Sequence, residues 1–321
     1  MHKPPIAVIL ALVALVPTWF ARDALESAVR ARLAPGDHVE VRHYRMKAQV
    51  RLLLFWVGSD DVGGGRVVRR QRVGGTTYEL LIGSDPDRAP RRINRWGYIR
   101  EEVDPSGAVV VGLKAETDDE SMNTEPDAGR DVRPFGVLRG TVSAEESYAR
   151  TGTIPVGPDV TYHDVADVLA MLDGFDGWRE RRIARRPEDR PGFLTAVDEL
   201  VRRSADAHRA RPGIELASDA QHVPYTYRAQ RYDLRLHDER FRTSAAYGGQ
   251  TYAAVVEGKF RTTNRQTGRQ TSFELVYGTV GDLAGVPIQI TYQPTWWFKA
   301  ELVLDESLAE TFPAETPNPP Q

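Results

Sequence analysis

At 321 residues and 41% hydrophobic composition, the chain can bury a core without metals or disulfides, and its net charge of −3 lacks the basic excess of a general nucleic-acid binder. It contains no cysteine, which excludes disulfides, thiol chemistry and a lipidated N-terminal cysteine. Only five of the 42 basic residues are lysines, a chain-wide bias that strips local arginine clusters of most of their meaning.

His2-Lys3 precedes an apolar run over residues 6–20 that contains Pro17. This is an export pattern, and the run is shorter than the roughly 20 residues of a comfortable membrane span. Residues 1–27 are therefore expected to be a signal peptide or, if uncleaved, an N-terminal anchor, and the protein is expected in the periplasm or cell envelope. Membrane contact is expected only through that segment. A polar helix follows over residues 23–33, ended by Pro35-Gly36.

Residues 28–312 read as one β-rich domain. Strand sequence begins near residues 38–41 and continues through residues 50–57, of which the continuous apolar run 52–57 suggests a strand covered on both faces. Gly58-Ser59-Asp60-Asp61 and Gly63-Gly64-Gly65 are expected to turn the chain, and Gly74-Gly75 to turn it again. Residues 93–102 and 108–113 form a strand pair around Asp104-Pro105-Ser106-Gly107. Residues 115–133, acidic and without apolar periodicity, read as a loop, residues 137–142 as a strand and residues 152–159 as an extended connector.

The pattern then changes. Val165, Val168, Leu169 and Leu172 recur at helical spacing before Gly174, and Phe193, Leu194, Val197, Leu200 and Val201 form a second stripe with Asp198, Glu199, Arg202 and Arg203 opposite. Residues 178–190 between them fit a helical extension or a loop. From Tyr225 to Leu304 apolar residues alternate along successive runs separated by Tyr247-Gly248-Gly249, Asn264 to Gly268, Asp282 to Gly285 and Gln293-Pro294-Thr295, the pattern of an antiparallel meander. The fold expected is α+β: a curved antiparallel sheet or half-barrel with a helical pair, residues 162–211, packed on it. Residues 313–321, with four prolines, read as a disordered tail.

Candidate chemistry is sparse. The glycine loop 58–65 precedes a strand rather than a helix and has no P-loop lysine, so it reads as a hairpin turn. His163 and Asp167 stand at i, i+4, but two ligands are not a metal site, and Thr161 fits a helix cap. No metal or cofactor is expected. Adjacent carboxylates such as Glu101-Glu102 point to opposite faces of a strand, one inward and one solvated. Arg92 and Arg95 with Trp96 and Tyr98 combine guanidinium and aromatic groups that suit anionic ligands. In Trp296-Trp297-Phe298, alternation sends Trp297 across the sheet, where the stripe of the second helix is expected to cover it.

The helix over residues 165–172, the run Gly285-Val286-Pro287-Ile288-Gln289-Ile290 and the strand over residues 299–304 resemble exported bacterial families of unknown function, mainly over residues 241–304. The resemblance implies a curved antiparallel sheet similar to lipoprotein-carrier and lipocalin-like half-barrels that wrap a helix, with no catalytic residues to carry over. The long segment 178–211 departs from it. The leading expectation is a non-enzymatic envelope protein that binds a lipid, amphiphile or other envelope component in a sheet-lined groove. Arg92, Arg95, Trp96, Tyr98, Trp296, Trp297 and Phe298 are its candidate contacts. The alternatives are a carboxylate-dependent hydrolase of cell-envelope glycan or ester and an envelope interaction module.

Overall fold

The computed structural model describes residues 37–52, 55–89, 93–115, 132–295, 298–308 and 310–313. Expectations for the export segment, the helix over residues 23–33, the loop across residues 116–131 and the tail beyond Pro313 lie outside them. Within them one antiparallel sheet dominates. Its first meander comprises β1 (His38–Leu52), β2 (Phe55–Arg72), β3 (Gly75–Ser84), β4 (Trp96–Asp104), β5 (Gly107–Ala115), β6 (Arg133–Val142), β7 (Glu146–Val156) and β8 (Arg179–Ala184). The second comprises β9 (His222–Tyr227), β10 (Gln230–Tyr247), β11 (Gln250–Asn264), β12 (Gln270–Gly278), β13 (Pro287–Thr295) and β14 (Phe298–Leu304). β1 pairs with β14 and joins the meanders; the short β15 (Glu310–Pro313) also lies on β1.

Two α-helices and three short 3-10 turns complete the described elements. α1 (Val165–Met171) follows a short 3-10 turn, in which Thr161 Oγ1 accepts from the His163 N–H while Asp164 reaches back to Thr161, as expected of Thr161. Val168 and Leu172 then bury against Leu81, Tyr98, Leu113 and Val137. α2 (Phe193–Ala210) buries Ala196, Leu200, Val201 and Ala205 against Val223, Leu234, Val256 and Tyr277 of the second meander. The helices are not a packed pair. Tyr98 and Leu81, under α1, face away from Tyr78 and Glu101, which touch α2 on the other side of the same strands.

The ends of the sheet approach without pairing. Residues 185–190 seam them: the Arg185 N–H donates to Glu145 O next to β7, whereas Arg190 exchanges backbone bonds of 2.8 and 2.9 Å with Pro224 and Thr226 of β9. Asp189, fully buried, lies 3.4 Å from the Arg231 guanidinium of β10. Ala229 and Tyr227, at the β9–β10 reversal, tuck against Val110 and Leu138 of the first meander.

Several sequence expectations change. Residues 178–190 contain β8, an edge strand with both faces largely exposed, and therefore without an apolar alternation to betray it. The run over residues 50–57 is not one strand, since Leu52 pairs with Phe55 across a hairpin. Residues 58–65 do not turn the chain but run through β2, where a β-carbon on Gly63 would stand 2.2 Å from Gly83 O and one on Gly65 2.7 Å from Leu302 Cδ2. These glycines permit close approach of neighbouring chains, not a reversal. Residues 152–156, expected in a connector, complete β7. Gln293-Pro294-Thr295 belongs to β13, and the last long strand starts at Phe298, because Thr295 pairs with Phe298. The glycine turns at Tyr247-Gly248-Gly249 and Asp104–Gly107 stand as expected.

Candidate functional site

The inner face of the rolled sheet is continuous across the β1–β14 joint. Tyr44, Met46, Leu302 and Leu304 are buried there beside the core that α2 makes with β9 to β12. α2 does not fill the concave side of the sheet, which stays open to solvent. A cavity of about 500 Å³ remains between its other flank and the sheet, within the range of about 300–1,000 Å³ typical of small-molecule sites.

Most of its wall is apolar. α2 contributes Phe193, Leu194, Val197 and Val201, β12 Phe273 and Leu275, β13 Ile290, and β14 Ala300 and Leu302, faced by Val67, Leu80 and Ile82 from β2 and β3. Phe193 meets Phe273 edge to face at 5.9 Å, and Phe273 stacks on Phe260 at 5.2 Å, which fixes one wall. Tyr78 donates to Asp198 at 3.1 Å; burial, with the Asp198 charge second, pushes its phenol up to about 12.

Charges in the wall are mostly matched. Arg42 lies 2.8 Å from Glu40, Arg66 2.5 Å from Glu79, and Arg202 2.8 Å from Asp198, while Arg69 reaches Asp198 only at 3.8 Å. Asp198 and Arg202, expected opposite the apolar stripe, instead line the cavity. Arg228 also lines it, exposed and without a hydrogen bond or ion pair among the described residues.

Glu101 anchors the helix beside the cavity. The α2 N-cap is Gly192, which has no side chain to cap with. Fully buried Glu101 of β4 takes that role: Oε1 accepts from the Leu194 N–H at 2.9 Å, and Oε2 from the Thr195 N–H and hydroxyl, both at 2.8 Å. Burial raises its carboxyl above the ordinary carboxylate range, partly opposed by these donors. The expectation of one inward and one solvated carboxylate at Glu101-Glu102 holds.

The candidates from sequence are not gathered at this cavity. Trp96 and Tyr98 are buried in the core under α1, on the opposite face, with Trp96 4.6 Å from Phe135. Arg95 donates to Asn94 O. Arg92, Trp296 and Trp297 lie outside the described residues, and Phe298 is described only as the first residue of β14. The stripe Leu200 and Val201, expected to cover Trp297, packs on the side of the sheet that carries Leu302.

Sequence reasoning missed Tyr44, Tyr78 and Arg228, and it placed Glu101 inward without its role as the cap of α2. A signal for Arg228 did exist. Apolar positions switch from odd (Val223, Tyr225, Tyr227) to even (Tyr232, Leu234, Leu236), as they must when a two-residue reversal separates paired strands. No group of three or more potential metal ligands occurs among the described residues, and no helix there is long and apolar enough to cross a membrane. No protein family, curated protein or solved structure matches the chain.

Proposed function

We propose that the protein binds an apolar or amphiphilic small molecule in the cavity between α2 and the inner face of the sheet, and that it does so in the cell envelope after export. The cavity itself carries this reading: about 500 Å³ of space walled by Phe193, Val197, Phe273, Leu275 and Leu302. Apolar side chains around a half-open space of that size stay wetted until a ligand covers them, which is the gain that binding would draw on. The pairing of Glu40, Glu79 and Asp198 with arginines favours binding over the hydrolytic alternative, which needs two carboxylates free to act on a substrate. Export rests on the N-terminal sequence alone.

The test is a titration of the purified protein with Nile red, a neutral dye whose emission rises in apolar surroundings, together with organic extraction and mass spectrometry of the extract. Saturable binding at one dye per chain, or a co-purifying amphiphile in like amount, is the expected result. No saturable enhancement and an empty extract would overturn the reading.

A further inference from the structure

The reversal between β9 and β10 is made of residues that such a turn ordinarily rejects. Tyr227 pairs with Gln230, so Arg228 and Ala229 alone turn the chain, at φ of 56° and 49°. Two-residue hairpin turns with both central residues left-handed select Asn-Gly or its close relatives, because a β-carbon crowds the following carbonyl there. Ala229 has a packing reason to be present: it is buried against Val110, Leu138 and Ala149. Arg228 has no such reason. It is exposed, it lines the cavity, and no described residue pairs with it. Each carboxylate of the wall already faces an arginine, so the unmatched charge is positive.

We propose that Arg228 holds the acidic head of a single-tailed amphiphile whose hydrocarbon lies in the cavity. The proposal rests on the cavity's binding such a molecule at all. A guanidinium presents forked donors that suit a carboxylate or a phosphate. Backbone strain at a residue of this kind persists where a side chain must sit at one place, and here that place is the apolar cavity's own wall.

Full-length protein, Arg228→Gly and Arg228→Lys are loaded with Nile red, whose neutrality makes it indifferent to the charge. The dye is then displaced with oleate, oleoyl lysophosphatidate or oleyl alcohol below micelle-forming concentrations. In the wild type at least one of the acids is expected to displace at about tenfold lower concentration than the alcohol, the discrimination of one charge-assisted contact. Arg228→Gly is expected to raise the thermal midpoint, to abolish the advantage of the acid and to leave the alcohol unchanged; Arg228→Lys is expected to keep part of the advantage. An advantage confined to one acid identifies the head as carboxylate or phosphate and supports the proposal. Equal displacement by acids and alcohol in the wild type, or an acid advantage that survives Arg228→Gly, overturns it while the cavity reading stands. Failure of Nile red to bind the wild type overturns both.

Discussion

Replacing Glu101 tests how β4 and α2 hold the cavity open. The carboxylate, itself fully buried, satisfies two backbone N–H groups of the helix N-terminus and the Thr195 hydroxyl, on residues that are half-buried. Glu101→Ala removes the cap, worth about 1–2 kcal/mol, and a donor that water cannot reach afterwards adds about 1–3 kcal/mol. A total loss of about 2–5 kcal/mol is expected. Glu101→Gln keeps one acceptor oxygen but turns an amide toward the remaining donors, so about 1–2 kcal/mol should be lost. The two variants also differ from the wild type in pH dependence. Because burial raises the folded-state pKa of Glu101, the folded protein binds the proton more tightly than the unfolded chain, whose glutamate titrates near about 4.3. The stability this supplies is complete below the unfolded pKa and is lost as pH rises through the folded one. Urea unfolding from about pH 4 to about pH 8 should show the gap between wild type and Glu101→Gln narrowing with rising pH. A gap that widens would mean that the fold favours the carboxylate, and wild-type stability in Glu101→Ala would refute the cap.

Arg133, buried to 2% exposure, donates to Asn94 O and to the carbonyls of Gly157, Pro158 and Val160, so Arg133→Met should cost at least about 3 kcal/mol in urea unfolding. Asp189→Ala leaves Arg231 without its buried partner at the seam and should cost about 1–3 kcal/mol; hydrogen exchange should show faster opening of residues 185–190 than elsewhere in the sheet. Gly63→Ala should destabilise by several kcal/mol, since its β-carbon would meet the Gly83 carbonyl oxygen at 2.2 Å; a neutral result would show that β2 and β3 can part there.

What could be read from sequence followed one rule: patterns with one wet and one buried face were legible, and patterns without that contrast were not. Phe273, Leu275 and Tyr277 alternated clearly because α2 covers only their side of β12. β8 was hidden because an edge strand reading Arg-Glu-Arg-Arg buries almost nothing. Gly63, Gly64 and Gly65 suggested a turn because conformational freedom and close approach call for the same residue, and only the neighbouring strand distinguishes them. Of the cavity's wall, the apolar stripe Phe193, Leu194, Val197 and Val201 of α2 was legible. Its charged members were not, since Asp198 and Arg202 follow the helix period of a solvated flank while the first meander supplies Arg69 and Tyr78 to cover them. Arg228 gave no composition signal; only the change of apolar parity between Tyr227 and Tyr232 marked its turn.

The most direct test of the central claim fills the cavity without unfolding the protein. Val197 lines the space while its inner side packs on the α2 core, so Val197→Trp extends an aromatic side chain into the volume a ligand would take. Nile red titrations of wild type and Val197→Trp, with thermal midpoints measured on the same samples, should show saturable binding by the first, at least about tenfold weaker binding by the second, and similar midpoints. Undiminished binding by a stably folded Val197→Trp would contradict a ligand site between α2 and the sheet.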